Sequence, residues 1–225
     1  MNHNIERDAQ RLYNLLLEGG VALVPTQTGY GLIAMKTPAV RRIYALKGRP
    51  GEKPCVTVGS LPVLDAVAVG VDPATRSWLA SAIQSWPMAL ITRLNPASRL
   101  VASFEPFVLQ QCTKADTIAT FYGVGELVAR VARLAYEHGQ LIVGSSANLA
   151  GTGNNYAIED VPDSIRGAVD LEIDYGRAAL ANPSKLASTI LDLTKSTFQR
   201  QGVHFADIER SWKVFASSRA SGIHA

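Results

Sequence analysis

Three clusters of residues have the types and spacing to hold a polar ligand, two of them an anion. In "KGRPGEKP", Lys47, Arg49 and Lys53 stand on one segment stiffened by Pro50 and Pro54. Fixed cations on a stiff loop suit phosphate oxygens, because arginine offers a planar fork and lysine a compact charge. The alternative is a solvated basic turn. In "GSSANLAG", Ser145, Ser146 and Asn148 supply short hydrogen-bonding groups beside Gly144 and Gly151, which permit tight backbone geometry. In "VPTQTGYGL" an apolar run breaks at Pro25 into Thr26, Gln27, Thr28, Gly29, Tyr30 and Gly31. That stretch is either an ordinary turn with a packed tyrosine or the wall of a binding site. A serine hydrolase is disfavoured: its nucleophile elbow reads G-x-S-x-G and needs a partnered histidine, whereas this chain has G-S-S-A-N.

The clusters follow or flank apolar runs that read as strands, the position at which open α/β sheets hold ligands. Ile5, Ala9, Leu12, Leu15 and Leu16 recur at helical spacing before Gly19-Gly20. "VALVP" and "LIAM" read as buried strands. Thr37-Pro38 reads as an N-cap and first-turn pair for a helix carrying Val40, Ile43, Tyr44 and Leu46. "CVTVGS", "ALITR", "TIATFY" and "LIVGS" are further strands, with helices at "LPVLDAVA", 72–86 and 125–137. The pattern is weak from 95 to 116. "VDLEIDYG", "ASTILDL" and "TFQRQG" read as closing strands, and "SSRASGIHA" as a small, polar terminus.

Strands and helices mix without strict alternation, which predicts a single α/β domain over 1–210 with a mixed twisted sheet, and a polar, flexible tail over 211–225. A formal charge of +3 and 47% hydrophobic residues suit a neutral-to-basic soluble enzyme. They are compatible with a nucleotide or RNA partner but lack the dense positive field that would require one. Cys55 and Cys112 stand in no metal-ligand spacing and read as buried thiols. No apolar run is long enough to span a bilayer and the N-terminus lacks a signal-peptide region, so the expected location is the cytoplasm.

The order of the motifs says more than any one of them. "PTQTGYGL", "KGRPGEKP", "SSAN", "DYG", "STI" and "QRQG" follow one another across roughly 19–208. In that order they resemble the YrdC family pattern P-T-[DE]-T-x-Y-G-L, K-x-R-x-x-x-K-P, S-x-N, D-x-G, S-T-[VI] and R-x-G. The resemblance implies an open, twisted mixed sheet flanked by helices around a concave basic cavity. It implies L-threonylcarbamoyladenylate synthesis from threonine, bicarbonate and ATP, with pyrophosphate released. Mg2+ would accompany the triphosphate, with no tightly bound cofactor. The product would supply the tRNA-modification machinery that makes threonylcarbamoyladenosine.

By the same resemblance Lys47, Arg49, Ser146 and Asn148 carry the chemistry and, with Ser188 and Arg200, hold ATP. Thr26, Thr28 and Tyr30 line the amino-acid side. The chain also departs from the pattern. Gln27 replaces the acidic residue of P-T-[DE]-T, and Thr120 or Phe121 stands where "V-R-V-P" would place an arginine facing a substrate carboxylate. Both departures suggest the same half of the cavity, with Arg93 or Lys114 as substitute cations. Two alternatives follow: a paralogue adenylating a different carbamate, and a non-catalytic binder of double-stranded RNA using a stripe of Arg41, Arg42, Lys47, Arg49 and Lys53.

Overall fold

The computed structural model describes residues 4–48, 54–220 and 222. Helix α1 (Ile5–Leu17) leads into the hairpin β1 (Ala22–Thr26) and β2 (Gly29–Ala34), then α2 (Thr37–Leu46) and β3 (Val56–Val58). Next come α3 (Leu61–Val67), β4 (Ala68–Val69), α4 (Pro73–Ser85) and β5 (Met88–Leu94). Two short helices, α5 (Arg99–Ala102) and α6 (Pro106–Cys112), and β6 (Thr113–Lys114) connect to β7 (Thr117–Tyr122). After α7 (Glu126–Glu137) and β8 (Ile142–Ser146) a long segment holds one 3-10 turn, α8 (Asp163–Arg166) and β9 (Leu171–Glu172). The last elements are β10 (Thr189–Asp192), β11 (Thr197–Arg200) and α9 (Phe205–Ala220).

Among the described residues the strands form one mixed sheet in the order β11-β10-β5-β7-β3-β8-β2-β1-β9, with β4 beside β5 and β6 beside β7. The pairs β10–β5, β3–β7 and β1–β9 are parallel and the others antiparallel. Alternate residues face opposite sides, as the strand period of two requires. Ala22, Val24, Ile33, Val58 and Ile142 pack with Leu12 and Leu16 of α1 and Val128 and Val131 of α7. On the opposite face Leu23, Leu32, Ile118 and Val143 pack with residues of α2, α5 and α6. There too Met88, Leu90, Tyr122 and Leu191 meet Leu64, Leu79 and Ile208 from α3, α4 and α9. On the α1/α7 side, Ala89 of β5 and Phe121 of β7 line a cavity. The site is thus a stretch of sheet on the face where α1 and α7 pack, lined rather than filled.

Four readings of the sequence change. Thr37 is the first residue of α2, not its cap; Lys36 is the cap residue, and the orphan Thr37 amide is satisfied at 2.7 Å by Glu105, distant in sequence. The weak stretch 95–116 contains α5, capped by Ser98, and α6, begun by Pro106, each too short to show a helical period. "VDLEIDYG" contributes only Leu171 and Glu172 to the sheet, because the chain turns where Asp174 accepts the Gly176 amide at 2.7 Å. Of the tail expected to be flexible, 211–220 belongs to α9, which runs through Ala220, while 221 and 223–225 lie outside the described residues. Its Trp212 and Phe215 lie 4.9 and 5.8 Å from Trp78 of α4, and Arg219 pairs with Asp72 at 2.7 Å. Small polar residues hid a stripe of Ile208, Trp212 and Phe215 at helical spacing.

Among the described residues no helix is long and apolar enough to cross a membrane. Cys55 and Cys112 are buried, as expected, and burial pushes the Cys112 thiol well above its ordinary range.

Because Ile208 is fully buried against β5 and β10, Ile208→Ala is expected to cost about 2–5 kcal/mol. Urea unfolding should show a lower midpoint at unchanged slope. An unchanged midpoint would mean that α9 is not part of the cooperative fold.

Candidate active site

The opening loop is the tip of the β1–β2 hairpin, with Thr26 paired to Gly29. The Thr26 hydroxyl donates to the Gly29 carbonyl at 2.5 Å, which holds the tip closed. Gly29 has φ +130°, and a Cβ there would meet the Asn155 carbonyl at 2.7 Å, so both backbone and space call for glycine. The tip is stitched to the segment after β8. Tyr30 N donates to Asn155 O and Ala147 N to Tyr30 O, each at 2.8 Å. Asn154 Nδ2 reaches Thr28 O at 2.6 Å and Asn155 Nδ2 reaches Ala147 O at 2.8 Å. The Tyr30 hydroxyl donates to Asp174 and lies 3.0 Å from the Gly176 carbonyl oxygen. Burial, followed by the Asp174 hydrogen bond, pushes the Tyr30 phenol well above the usual tyrosine range.

Lys47, just past the end of α2, is 4% exposed. Its ammonium donates to the Ser146 carbonyl, to the Asn148 carbonyl at 2.9 Å and to Asn148 Oδ1 at 3.0 Å, with Ser146 Oγ at 3.4 Å. The Ser146 hydroxyl in turn donates to Asn148 Oδ1. Lysine offers three donors and no acceptor, so this cage of oxygens is what a buried ammonium needs. Lys47, Ser146 and Asn148 are therefore one unit in space although a hundred residues separate them in sequence.

A second unit forms at β10 and β11. Arg200 donates through Nε to the Ser188 carbonyl at 2.7 Å and through Nη2 to the Ser188 hydroxyl at 2.9 Å. Gly202 N donates to Thr189 Oγ1 at 3.1 Å, and Thr189 Oγ1 to Val203 O at 2.8 Å. A Cβ on Gly202 would collide with the Ala187 carbonyl and the Ser188 backbone, which explains the glycine after arginine in "QRQG".

One cavity collects these parts. Thr26, Thr28, Tyr30, Ser145, Ser146, Asn154, Ser188 and Arg200 supply its polar wall. Val58, Ala89, Phe121, Val124 and Val128 supply an apolar one. Of the sequence-derived site residues, Thr26, Thr28, Tyr30, Ser146, Ser188 and Arg200 line this space. Lys47 and Asn148 do not line it but are bonded to each other beside Ser146, and Arg49 lies outside the described residues, as does Lys53. Asn154 and Asn155 were missed; two adjacent amides after Gly151-Thr152-Gly153 were the available signal.

The two departures separate. Phe121 lines the cavity, whereas Thr120 points to the opposite face, where its hydroxyl meets Thr57 Oγ1 at 2.7 Å. Gln27 is exposed and faces a different hollow with Glu126, Tyr175 and Arg177, so it does not share the Phe121 side. Arg93 and Lys114 do not substitute for an arginine at Phe121. They line a neighbouring depression, and Arg93 pairs with Asp116 at 2.9 Å. The proposed basic stripe is not continuous among the described residues either. Lys47 is buried, Arg42 pairs with Asp170, and the Arg41 guanidinium lies 3.9 Å from the centre of the Phe107 ring.

Residues 14–202 match the profile of the Sua5/YciO/YrdC family, described as Telomere recombination. The chain belongs to this family. A threonylcarbamoyl-AMP synthase of Pyrococcus abyssi is 28% identical over 181 residues, covering 79% of this chain and 48% of that protein. One of Chromobacterium violaceum is 31% identical over 191 residues, covering 82% of this chain and 88% of that protein. The crystal structure of P. abyssi Sua5 complexed with L-threonine superimposes with a TM-score of 0.75 at 23% identity, covering 94% of this chain and 58% of that one. The chain thus spans about half the length of the archaeal relative and most of the Chromobacterium one. The mixed sheet flanked by helices is the fold of the family.

Two outcomes test this geometry. Gly202→Ala is expected to cost at least about 2 kcal/mol, since the backbone at Ala187–Ser188 or at 202 must move; urea unfolding measures it. The raised Tyr30 phenol contributes stability that is complete below the unfolded tyrosine value near 10 and is lost as pH rises through the folded value. Tyr30→Phe should therefore flatten the fall in stability above pH 10. An identical alkaline limb in both proteins would contradict the Tyr30–Asp174 bond.

Proposed function

We propose that this protein is a threonylcarbamoyl-AMP synthase-type nucleotidyltransferase, which joins a carbamate to the α-phosphate of ATP and releases pyrophosphate. The observation that carries the reading is the Lys47-organised Ser146/Asn148 loop, assembled around the same cavity as the Ser188–Arg200 unit. The relatives' names support it.

In this reading an amine and bicarbonate combine to a carbamate with loss of water. A carbamate oxygen attacks the α-phosphorus, and the bond to the β-phosphate oxygen breaks as pyrophosphate leaves. No side chain needs to act as a nucleophile. Positioning and charge stabilisation supply the rate, as in other phosphoryl and nucleotidyl transfers. Ser146 and Arg200 would present a hydroxyl and a cation to phosphate oxygens. Lys47, its ammonium turned into the loop, acts as a positioning residue for Ser146 and Asn148. Arg49 would add a second fork to the phosphates. Thr26, Thr28 and the Tyr30 backbone would shape the wall on the amine side. The product would pass to the machinery that modifies tRNA adenosine.

Among the described residues no carboxylate lines the cavity, and no cluster of three His, Cys, Asp or Glu offers a metal site. Hydroxyls, amides and a guanidinium do not fit a resident Mg2+, whose ligands are chiefly carboxylate oxygens. Magnesium enters this reading as part of the nucleotide substrate.

Arg49→Ala and Arg200→Gln are each expected to lower ATP-, bicarbonate- and amine-dependent pyrophosphate release by about 10²–10³-fold, the usual cost of losing one preorganised charge donor. Both should keep their far-UV circular dichroism and melting behaviour. Full activity in both variants would overturn the proposed site.

A further inference from the structure

The two walls of the cavity differ sharply, and the difference bears on what sits beside the nucleotide. Register aligns Val58 of β3 with Phe121 of β7, and Phe121 with Ala89 of β5. These three residues form a row across adjacent strands, all on the cavity side. Val124, just ahead of α7, and Val128, in its first turn, complete the same apolar wall. The hydroxyls, the amide and the one cation that line the cavity among the described residues, Arg200, belong to the other wall. Arg200 is held there by Ser188.

A charged or hydroxylated group pressed against the Phe121 row would lose its water and gain no partner, which is costly for a hydroxyl and far more so for a carboxylate. An aliphatic or aromatic group would instead bury apolar area there. The triphosphate is itself an anion that competes for Arg200. We infer, resting on the nucleotidyltransferase reading above, that the carbamate acceptor of this protein is a primary amine with an apolar body, seated on Val58, Ala89 and Phe121. Phe121 is the residue that sets this preference over threonine. The shared chemistry has two sources: an apolar amino acid such as leucine or phenylalanine, or the corresponding amine without a carboxylate.

The test measures pyrophosphate release by the full chain with ATP, Mg2+ and bicarbonate. Its amine arms are threonine, leucine, phenylalanine, isopentylamine and phenethylamine. Release at least tenfold faster, per amine concentration, with an apolar member than with threonine is the expected result, and amino acid against plain amine distinguishes the two sources. Threonine equal to or better than all of them overturns the inference and leaves the proposed function standing. No release with any amine overturns the proposed function and the inference with it.

Phe121→Arg should raise threonine relative to the apolar amine at least tenfold, while Phe121→Leu keeps the parent order. ATP-induced protection against thermal unfolding should be equal in the parent and both variants, which also shows that each folds. Loss of that protection in Phe121→Arg alone would place the adenine on the Phe121 row and overturn the assignment. An unchanged preference in Phe121→Arg would overturn it as well.

Discussion

A single buried ammonium organises the loops around the candidate site. Lys47 leaves α2 and turns inward to a cage of oxygens from Ser146 and Asn148. A buried lysine without partners would be expelled or neutralised, so the cage and the charge require one another. The carbonyls that satisfy Lys47 belong to the turn after β8, and the same turn accepts and donates backbone bonds to the β1–β2 tip through Ala147 and Asn155. Fixing one side chain therefore fixes two loops and the orientation of the groups that line the cavity.

The sheet provides the frame on which this works. Because β8 pairs antiparallel with both β2 and β3, the Ser145-Ser146 end of β8 emerges beside the Gly29–Gly31 start of β2. The parallel pairing of β10 with β5 brings Ser188, just ahead of Thr189, to the same region, and Arg200 follows from the β10–β11 hairpin. Glycines at 29 and 202 permit approaches that a Cβ would block. Rigid strands with short, cross-linked loops suit chemistry that depends on holding two anions in line rather than on a reactive side chain.

Local reading succeeded where one element carries its own signal. The amphipathic patterns of α1 and α7, the apolar strands β1, β2, β5, β7 and β8, and the ordered motifs around Lys47, Ser146 and Arg200 were legible because periodicity and residue type are local properties. It failed where a partner distant in sequence decides the outcome. Glu105 caps α2 in place of Thr37. Trp78 gives α9 a surface to pack on, turning a polar-looking terminus into a helix. Gln27 looked like a cavity residue by its place in a motif, yet the hairpin turns it outward.

By itself the sequence determined the element types, the mixed α/β class, the family and the set of polar residues available to the site, since each follows from composition, period and motif order. Only the tertiary structure decided which way those residues face. The strand period of two leaves Thr120 and Phe121 indistinguishable as neighbours in a chain and puts them on opposite sides of a sheet. In the same way, Lys47 read as a cation for phosphate becomes, once its burial and its four oxygen contacts are known, the support on which the Ser146–Asn148 loop rests. The physical reason is common to both: where a side chain points and whether its charge is shielded depend on contacts between segments far apart in sequence.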